Sequence, residues 1–515
     1  MASAEVLGAV ASAEAEEEEF NLQRGKLMGK FIIALDEGTT SARAGVYDVE
    51  KGVFVHRAQQ EVGQSFPHSG WVEQDANEIY YKVMYVLNDC IQAVGADNVA
   101  AIGIANQRET VVFWNRETGE PVCPAIVWQC RRTGKFCASI DAEMRNKIKE
   151  KTGLLPDAYF SASKIKWNLD NIPVARKLQS EGKLCAGTVE SFIIFRLTGL
   201  FLTDYTNASR TMLFDIRKMQ WDKELCDYFG IPLDILPKPV PSDSLFGTAV
   251  LSGKHIPVAG VLGDQQAALF GQACYREGDG KITYGTGLFM LFHTGEKCIF
   301  SDSGLLTTVG YTLNGKTAYA LEGSAFNAGS AVQWLRDGLG IIKSSAESEE
   351  LARSVESSGG VSFVPAFTGL GAPHWNSEAR GLLSGISRGT TRAHIVRAVL
   401  ESIAFTARDL ADCMIRDSGI NLREIKCDGG ASANSFLMQF QADVLGIGVN
   451  RPVERESTLL GVALLAAVSL GLLGADELEN RRVAEKIFVP SPDREQFDRL
   501  YNEYLLAVKR ALMAE

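Results

Sequence analysis

Several stretches of the chain are near-continuous or alternating apolar runs of strand length. "FIIALD" (31–36) runs straight into an acid, "ARAGVYDV" (42–49) alternates, and "AAIGIA" (100–105) is fully apolar. These read as strands. "ANEIYYKVMYVLNDCIQAV", Ala76–Val94, instead repeats its apolar residues at helical spacing and reads as an amphipathic helix. Strands and helices that alternate in this way predict an α/β fold.

The joints between elements are rich in glycine. "FIIALDEGTTSAR", Phe31–Arg43, is strand, Gly-Thr-Thr, strand. It is not a Walker A loop, which needs GxxxxGK[ST] followed by a helix. "KITYGTGLFMLFHTG", from Lys281, echoes it as strand, Gly-Thr-Gly, strand, about 250 residues later, one domain's length. Two such hairpins in two like domains can face each other across a cleft and hold a phosphate chain from both sides. They can equally be tight turns that suit glycine and threonine. "IPVAGVLGDQQAALFGQ" (256–272) and "IKCDGGASANSFLMQFQADVLG" (425–446) each read as strand, glycine turn, helix. Glycines there let backbone amides approach a ligand at a helix start. The longest apolar run, "LLGVALLAAVSLGLLGA" (459–475), falls short of the ~20 residues of a membrane span. Its many small residues suit close helix packing, so it is expected to be a buried helix.

Length and charge narrow the class. A chain of 515 residues exceeds what one core supports, so two large domains are expected. Net charge is −11 with no basic block, which argues against nucleic-acid binding. Ten cysteines form no CxxC and no zinc spacing with the six histidines, so reduced thiols in a cytoplasmic protein are expected. The first 28 residues carry the run "AEAEEEE" and are expected to be a disordered acidic extension, with Met28 a possible alternative start.

Asp36 and Asp264 each stand where an apolar strand meets a glycine turn. Two carboxylates on one cleft suit magnesium and a proton-accepting role, and phosphoryl transfer asks little of its base. Either can also be an ordinary turn or N-cap residue. Thr39, Thr40 and Arg43 beside Asp36 are phosphate donors. Arg108 and Glu109 of "NQRET" can be a surface ion pair, or a donor and acceptor for polyol hydroxyls. Trp128 of "IVWQCRR" offers an apolar wall.

Taken together, "LDEGTTSAR", "GWVEQD", "NQRET", "IVWQCRRT", "TDYTNASRTMLFDI", "GDQQAALFGQ", "TYGTG", "VPAFTGLGAPHW" and "DGGASANSFLMQFQAD" closely resemble the FGGY carbohydrate kinase family, and within it the members that phosphorylate glycerol. The resemblance covers roughly residues 29–512. It implies two related actin-like ATPase (ribonuclease H-like) domains around a cleft, 29–273 for glycerol and phosphate and 274–515 for nucleotide. It also implies transfer of a phosphoryl group from ATP, with Mg2+, to glycerol in a cytoplasmic homo-oligomer, a dimer or tetramer. Carried over by motif, Asp264 is the general base, and Arg108, Glu109, Tyr159, Asp264 and Gln265 grip glycerol between Trp128 and Phe289. Thr39, Thr40, Ser41, Arg43 and Thr286 are implied phosphate contacts, and Gly329, Gln333, Gly430 and Asn434 nucleotide contacts. Asp36 and Asp264 would place magnesium. A kinase of another polyol or ketose, or an actin-like ATPase without a polyol substrate, would keep the same fold.

The chain also departs from the family pattern. Glu37 stands where many relatives have Gln, and an extra carboxylate is expected to repel polyphosphate unless it touches magnesium or water. "LSGKHIP" (251–257) lacks the loop some relatives use for fructose 1,6-bisphosphate control, and "SDSLFGTAV" (242–250) lacks a histidine that others phosphorylate, so neither control is expected. His374 replaces a usual tyrosine and is expected to be a packing change.

Overall fold

The computed structural model describes residues 29–376 and 378–513, so the expected acidic extension lies outside the described residues. Both glycine-threonine stretches fold as hairpins. β1 (Phe31–Glu37) and β2 (Ser41–Asp48) pair antiparallel with Asp36 opposite Arg43, and β3 (Val53–Glu61) continues the meander. α1 (Ala76–Val94) has the bounds its periodicity predicts. It starts at Asp75, whose side chain accepts from the Asn77 amide, and buries Ile79, Val83, Val86 and Leu87 against the sheet. β4 (Val99–Asn106) returns parallel to β1. After α2 (Ser161–Asn171) and α3 (Val189–Thr198), β5 (Leu245–Leu251) and β6 (Lys254–Gly263) complete a six-stranded sheet ordered β5-β6-β4-β1-β2-β3. α4 (Asp264–Gly271) leaves directly from the end of β6.

The second half repeats the plan. β7 (Asp279–Tyr284) and β8 (Leu288–His293) form the second hairpin, with Thr286 between them. β9 (Leu306–Leu313) and β10 (Lys316–Ala325) follow. α5 (Arg392–Ser418) then leads to β11 (Glu424–Asp428), which pairs parallel with β7. α6 (Ser435–Leu445), β12 (Val449–Pro452), α7 (Ser457–Ser469), β13 (Ala484–Phe488) and α8 (Arg494–Met513) complete the chain. The second sheet is ordered β9-β10-β8-β7-β11-β12-β13. In each sheet the hairpin's first strand pairs antiparallel on one side and parallel on the other, so the sequence echo is a repeat of topology. This is a two-domain α/β fold of the actin-like kind.

α7 is the expected buried helix. It comes from late in the chain, yet it packs on the first sheet: Leu459, Val462, Ala463 and Ala466 meet Ile32, Ala34, Ala101 and Leu262. Each leucine buried this way contributes about 1.5–3 kcal/mol. It also crosses α4 at backbone distance, because a Cβ on Gly461 would lie 1.9 Å from the Ala267 carbonyl oxygen. Among the described residues no helix is long and apolar enough to cross a membrane.

Candidate active site

The end of β1 carries two carboxylates that alternate across the sheet. Asp36 shares a face with Arg43, whose Nη2 lies 3.2 Å from its Oδ2. Burial pushes Asp36 up to about 6 against the pull of Arg43, and nearby Asp264 adds to the rise. Glu37 points the other way and is fully buried. Its Oε1 accepts from Gln107 Nε2 at 3.1 Å, while Oε2 has no partner. Burial raises this carboxyl well above the usual range despite Gln107, so the protonated acid is favoured. Glu37 is thus turned inward, away from the face that Asp36 shares with Arg43.

Gln107 connects the first hairpin to the expected polyol wall. It donates to Gln74 Oε1 (2.9 Å), and Gln74 Nε2 donates to the Thr39 carbonyl (2.8 Å). Thr110 Oγ1 donates to Gln107 Oε1 (2.8 Å) and accepts from the Trp128 amide (3.1 Å). Trp128 Nε1 donates to Thr39 Oγ1 (2.9 Å), and its ring meets Tyr159 edge-on at 5.5 Å. Thr39 thus holds the indole as well as standing in the hairpin. Thr40 is exposed at the turn, and Ser41 closes it by accepting the Gly38 amide at 3.0 Å.

Past the end of β4, Arg108 and Glu109 are both buried, which removes the surface ion-pair alternative. Arg108 grips Glu322 of β10 with Nη1 (2.6 Å) and Nη2 (3.0 Å), and its Nε lies 3.2 Å from Asp264 Oδ1. Nη2 also reaches the Tyr159 hydroxyl at 3.4 Å. Gly263 permits this arrangement, since a Cβ there would lie 2.8 Å from the Arg108 Cδ and Cγ. Glu109 has a left-handed backbone (φ 61°), rare for a residue with a side chain. Its carbonyl is held by Ser161 Oγ and Lys164 Nζ, each at 3.1 Å, and its Oε1 accepts from Arg210 Nε at 2.6 Å. Lys164 is fully buried on α2, and burial brings it down to about 7. Arg210 Nη2 donates to Glu322 Oε1 at 3.0 Å. Burial alone would raise the Glu322 carboxyl, but Arg108 and Arg210 outweigh it and hold it down at about 2.

Asp264 opens α4, about a third exposed, and Gln265 follows with its Oε1 accepting from Lys281 of β7. Phe289 is half-buried on β8. Around the second hairpin, the Gly329 amide donates to the Gly285 carbonyl at 2.9 Å and Ser330 to that of Thr286 at 3.1 Å. Thr286 and Gln333 are exposed. Gly430 has open space where a Cβ would be, next to Gly429 at φ 83°. Asn434 is an N-cap: its Oδ1 accepts from the Leu437 amide at 3.0 Å, and its Nδ2 donates to Ser348. His374 shares a small cavity with Thr406, Asp409 and Tyr504.

The structure thus joins buried Arg108 and Glu109 with partly exposed Tyr159, Asp264 and Gln265 in one polar cluster. It brings Asp36, Thr39 and Arg43 together on the first hairpin, and sets Gly329, at the start of a later helix, against the turn of the second that carries Thr286. Glu322, Arg210, Lys281, Gln107 and Gln74 were not singled out from sequence. One signal did exist: Glu322 is a lone carboxylate in the apolar run "AYALEGSAF", and a buried charge needs a partner.

The chain matches the FGGY family of carbohydrate kinases, N-terminal domain, over residues 31–271, and the C-terminal domain of that family over residues 280–470. It is 52% identical to a glycerol kinase of Thermococcus onnurineus over 490 residues, 94% of this chain and 98% of that one. It is 50% identical to glycerol kinase 2 of Thermotoga maritima over 491 residues, 94% of this chain and 99% of that one. Among solved structures, Plasmodium falciparum glycerol kinase with ADP superposes with a TM-score of 0.89 at 37% identity, covering 94% of this chain and 99% of that one. A xylulose kinase of Lactobacillus acidophilus shares the fold, with a TM-score of 0.84 at 24% identity over 94% of this chain and 99% of that one.

Proposed function

The chain belongs to the FGGY family of carbohydrate kinases, and we propose that its cleft transfers the γ-phosphoryl group of ATP to glycerol, giving glycerol 3-phosphate. The observation that carries this reading is the polar cluster of Arg108, Glu109, Tyr159, Asp264 and Gln265, with Trp128 edge-on to Tyr159. Arg108 and Gln265 supply N–H donors and Glu109 supplies an acceptor. A pocket of paired polar groups rejects ligands that lack the matching hydroxyls. Trp128 and Phe289 face the carbon backbone, and Asp264 takes the proton of the attacking hydroxyl. Arg43, Thr40 and Thr286 reach the phosphate chain from the two hairpins. Gly430, which has open space where a Cβ would be, leaves room for the nucleotide, with Gly329, Gln333 and Asn434 as its further contacts.

A magnesium ion fits these residues. Burial pushes Asp36 up to about 6 against the pull of Arg43, the charge of Asp264 adds to the rise, and a dication between the two carboxylates would favour their ionised forms. Among the described residues no three His, Cys, Asp or Glu side chains form a metal cage. That suits a cation which keeps waters and substrate phosphates in its shell. Asp36 and Asp264 would hold it, and when bound it would neutralise charge on the phosphates. The ten cysteines are all unpaired, in keeping with a cytoplasmic protein, and the assembly proposed is a homo-oligomer, a dimer or tetramer.

A coupled ADP-release assay tests the reading. With magnesium-ATP, turnover is expected only when glycerol is added, and Asp264→Asn is expected to lose about 10²–10⁴-fold in kcat. Glycerol-independent hydrolysis would reject it.

A further inference from the structure

In the second sheet, Lys281 of β7 and Glu322 of β10 both stand opposite Leu291 of β8. Residues directly opposite across strands share a face. The next row on that face is Thr283, Phe289 and Ser324. The expected apolar wall, Phe289, therefore lies beside two buried charges on the face turned to the first half of the molecule. Lys281 and Glu322 are 0% and 1% exposed. A buried charge is costly without a partner. Apart from Thr283 Oγ1, 2.9 Å from Lys281 Nζ, the hydrogen-bond partners of both lie in the first half. Lys281 donates to Gln265 Oε1. Glu322 accepts three guanidinium N–H bonds, two from Arg108 and one from Arg210.

These contacts decide what the two polyol residues present. With its oxygen taken by an ammonium, the Gln265 amide is left with its NH2 as the free end. With Glu322 bridging both terminal nitrogens, the Arg108 fork is fixed in plane. Its second Nη2 hydrogen meets only the distant Tyr159 hydroxyl and is available to a ligand.

We infer that Lys281 and Glu322 are positioning residues through which the second half orients Gln265 and Arg108 as hydroxyl donors, so that the polyol pocket is complete only when the two halves are docked. This rests on the reading that Arg108 and Gln265 bind glycerol.

Steady-state kinetics on the full chain test it, varying glycerol at saturating magnesium-ATP and then the reverse, for wild type, Lys281→Met, Lys281→Arg and Glu322→Gln, with folding checked by thermal melting. Lys281→Met is expected to raise the glycerol KM about tenfold or more while the ATP KM moves less than about twofold. Lys281→Arg, which keeps the donor, is expected to recover most of the loss. Glu322→Gln is expected to show the same selective rise. If that variant does not fold, the Lys281 pair decides. A folded Lys281→Met with both KM values unmoved, or both raised alike, overturns the inference and leaves the function standing. Wild-type protein whose ATP turnover ignores glycerol overturns the function and this inference with it.

Discussion

At the scale of single residues, Glu37 separates what a sequence conveys from what burial decides. Its place beside Asp36 reads as added negative charge. The strand's alternation turns it away from the cleft, into a site where only Gln107 satisfies it. Because burial raises its carboxyl in the folded state, the folded protein holds a proton that the unfolded chain has already released above about 4.5. The native state binds more protons, so stability falls as pH rises through that interval and beyond it, up to the folded value. Glu37→Gln keeps the shape and removes the titration. Its melting temperature is expected to match wild type near pH 4 and to exceed it increasingly at higher pH, measured by calorimetry across a pH series. Asp36 behaves in the same sense: its contribution is lost between about 4 and about 6, which places its titration within reach of a pH–rate profile.

At the scale of elements, the hairpins, α1 and the strand leading into Asp264 were legible because local pattern dictates them. Apolar runs end at glycine, and Asp75 caps a periodic helix. α7 was legible only in part. A uniformly apolar segment is compatible with several environments, and its small residues gave the one hint of close packing. The crossing with α4 explains them: Gly461 faces the Ala267 carbonyl, and Gly271 would place a Cβ 2.1 Å from the Ser457 carbonyl oxygen. Since α4 begins at Asp264, anything that spreads this crossing also moves the proposed base. Gly461→Ala is expected to cost about 1–3 kcal/mol in denaturant unfolding and to lower kcat more than it raises KM for either substrate. A melting curve and kcat equal to wild type would show that the helices do not transmit the strain.

At the scale of the whole molecule, the sequence echo predicts two like halves but not how they meet. Arg108 and Glu322 are 214 positions apart, and no local pattern links them. Lys281 and Gln265 lie close in sequence, yet only the sheet register reveals which way each faces. These contacts form a junction on the proposed polyol side, while Thr286 and Gln333, on the proposed nucleotide side, are exposed. Ligands that bridge the cleft are expected to draw the exposed sides together. Small-angle scattering should give a smaller radius of gyration with glycerol plus a non-hydrolysable ATP analogue than with either alone, and unchanged curves would count against closure. The late origin of α7 also has a bearing on synthesis. β6 ends at Gly263, yet the helix that covers one face of its sheet begins only at Ser457. At ordinary elongation rates the ribosome needs about 10–40 s to make the intervening chain, during which that apolar face stays bare. The first half made alone is therefore expected to be recovered as aggregate, and in the cell the nascent chain becomes a client for chaperones until α7 emerges.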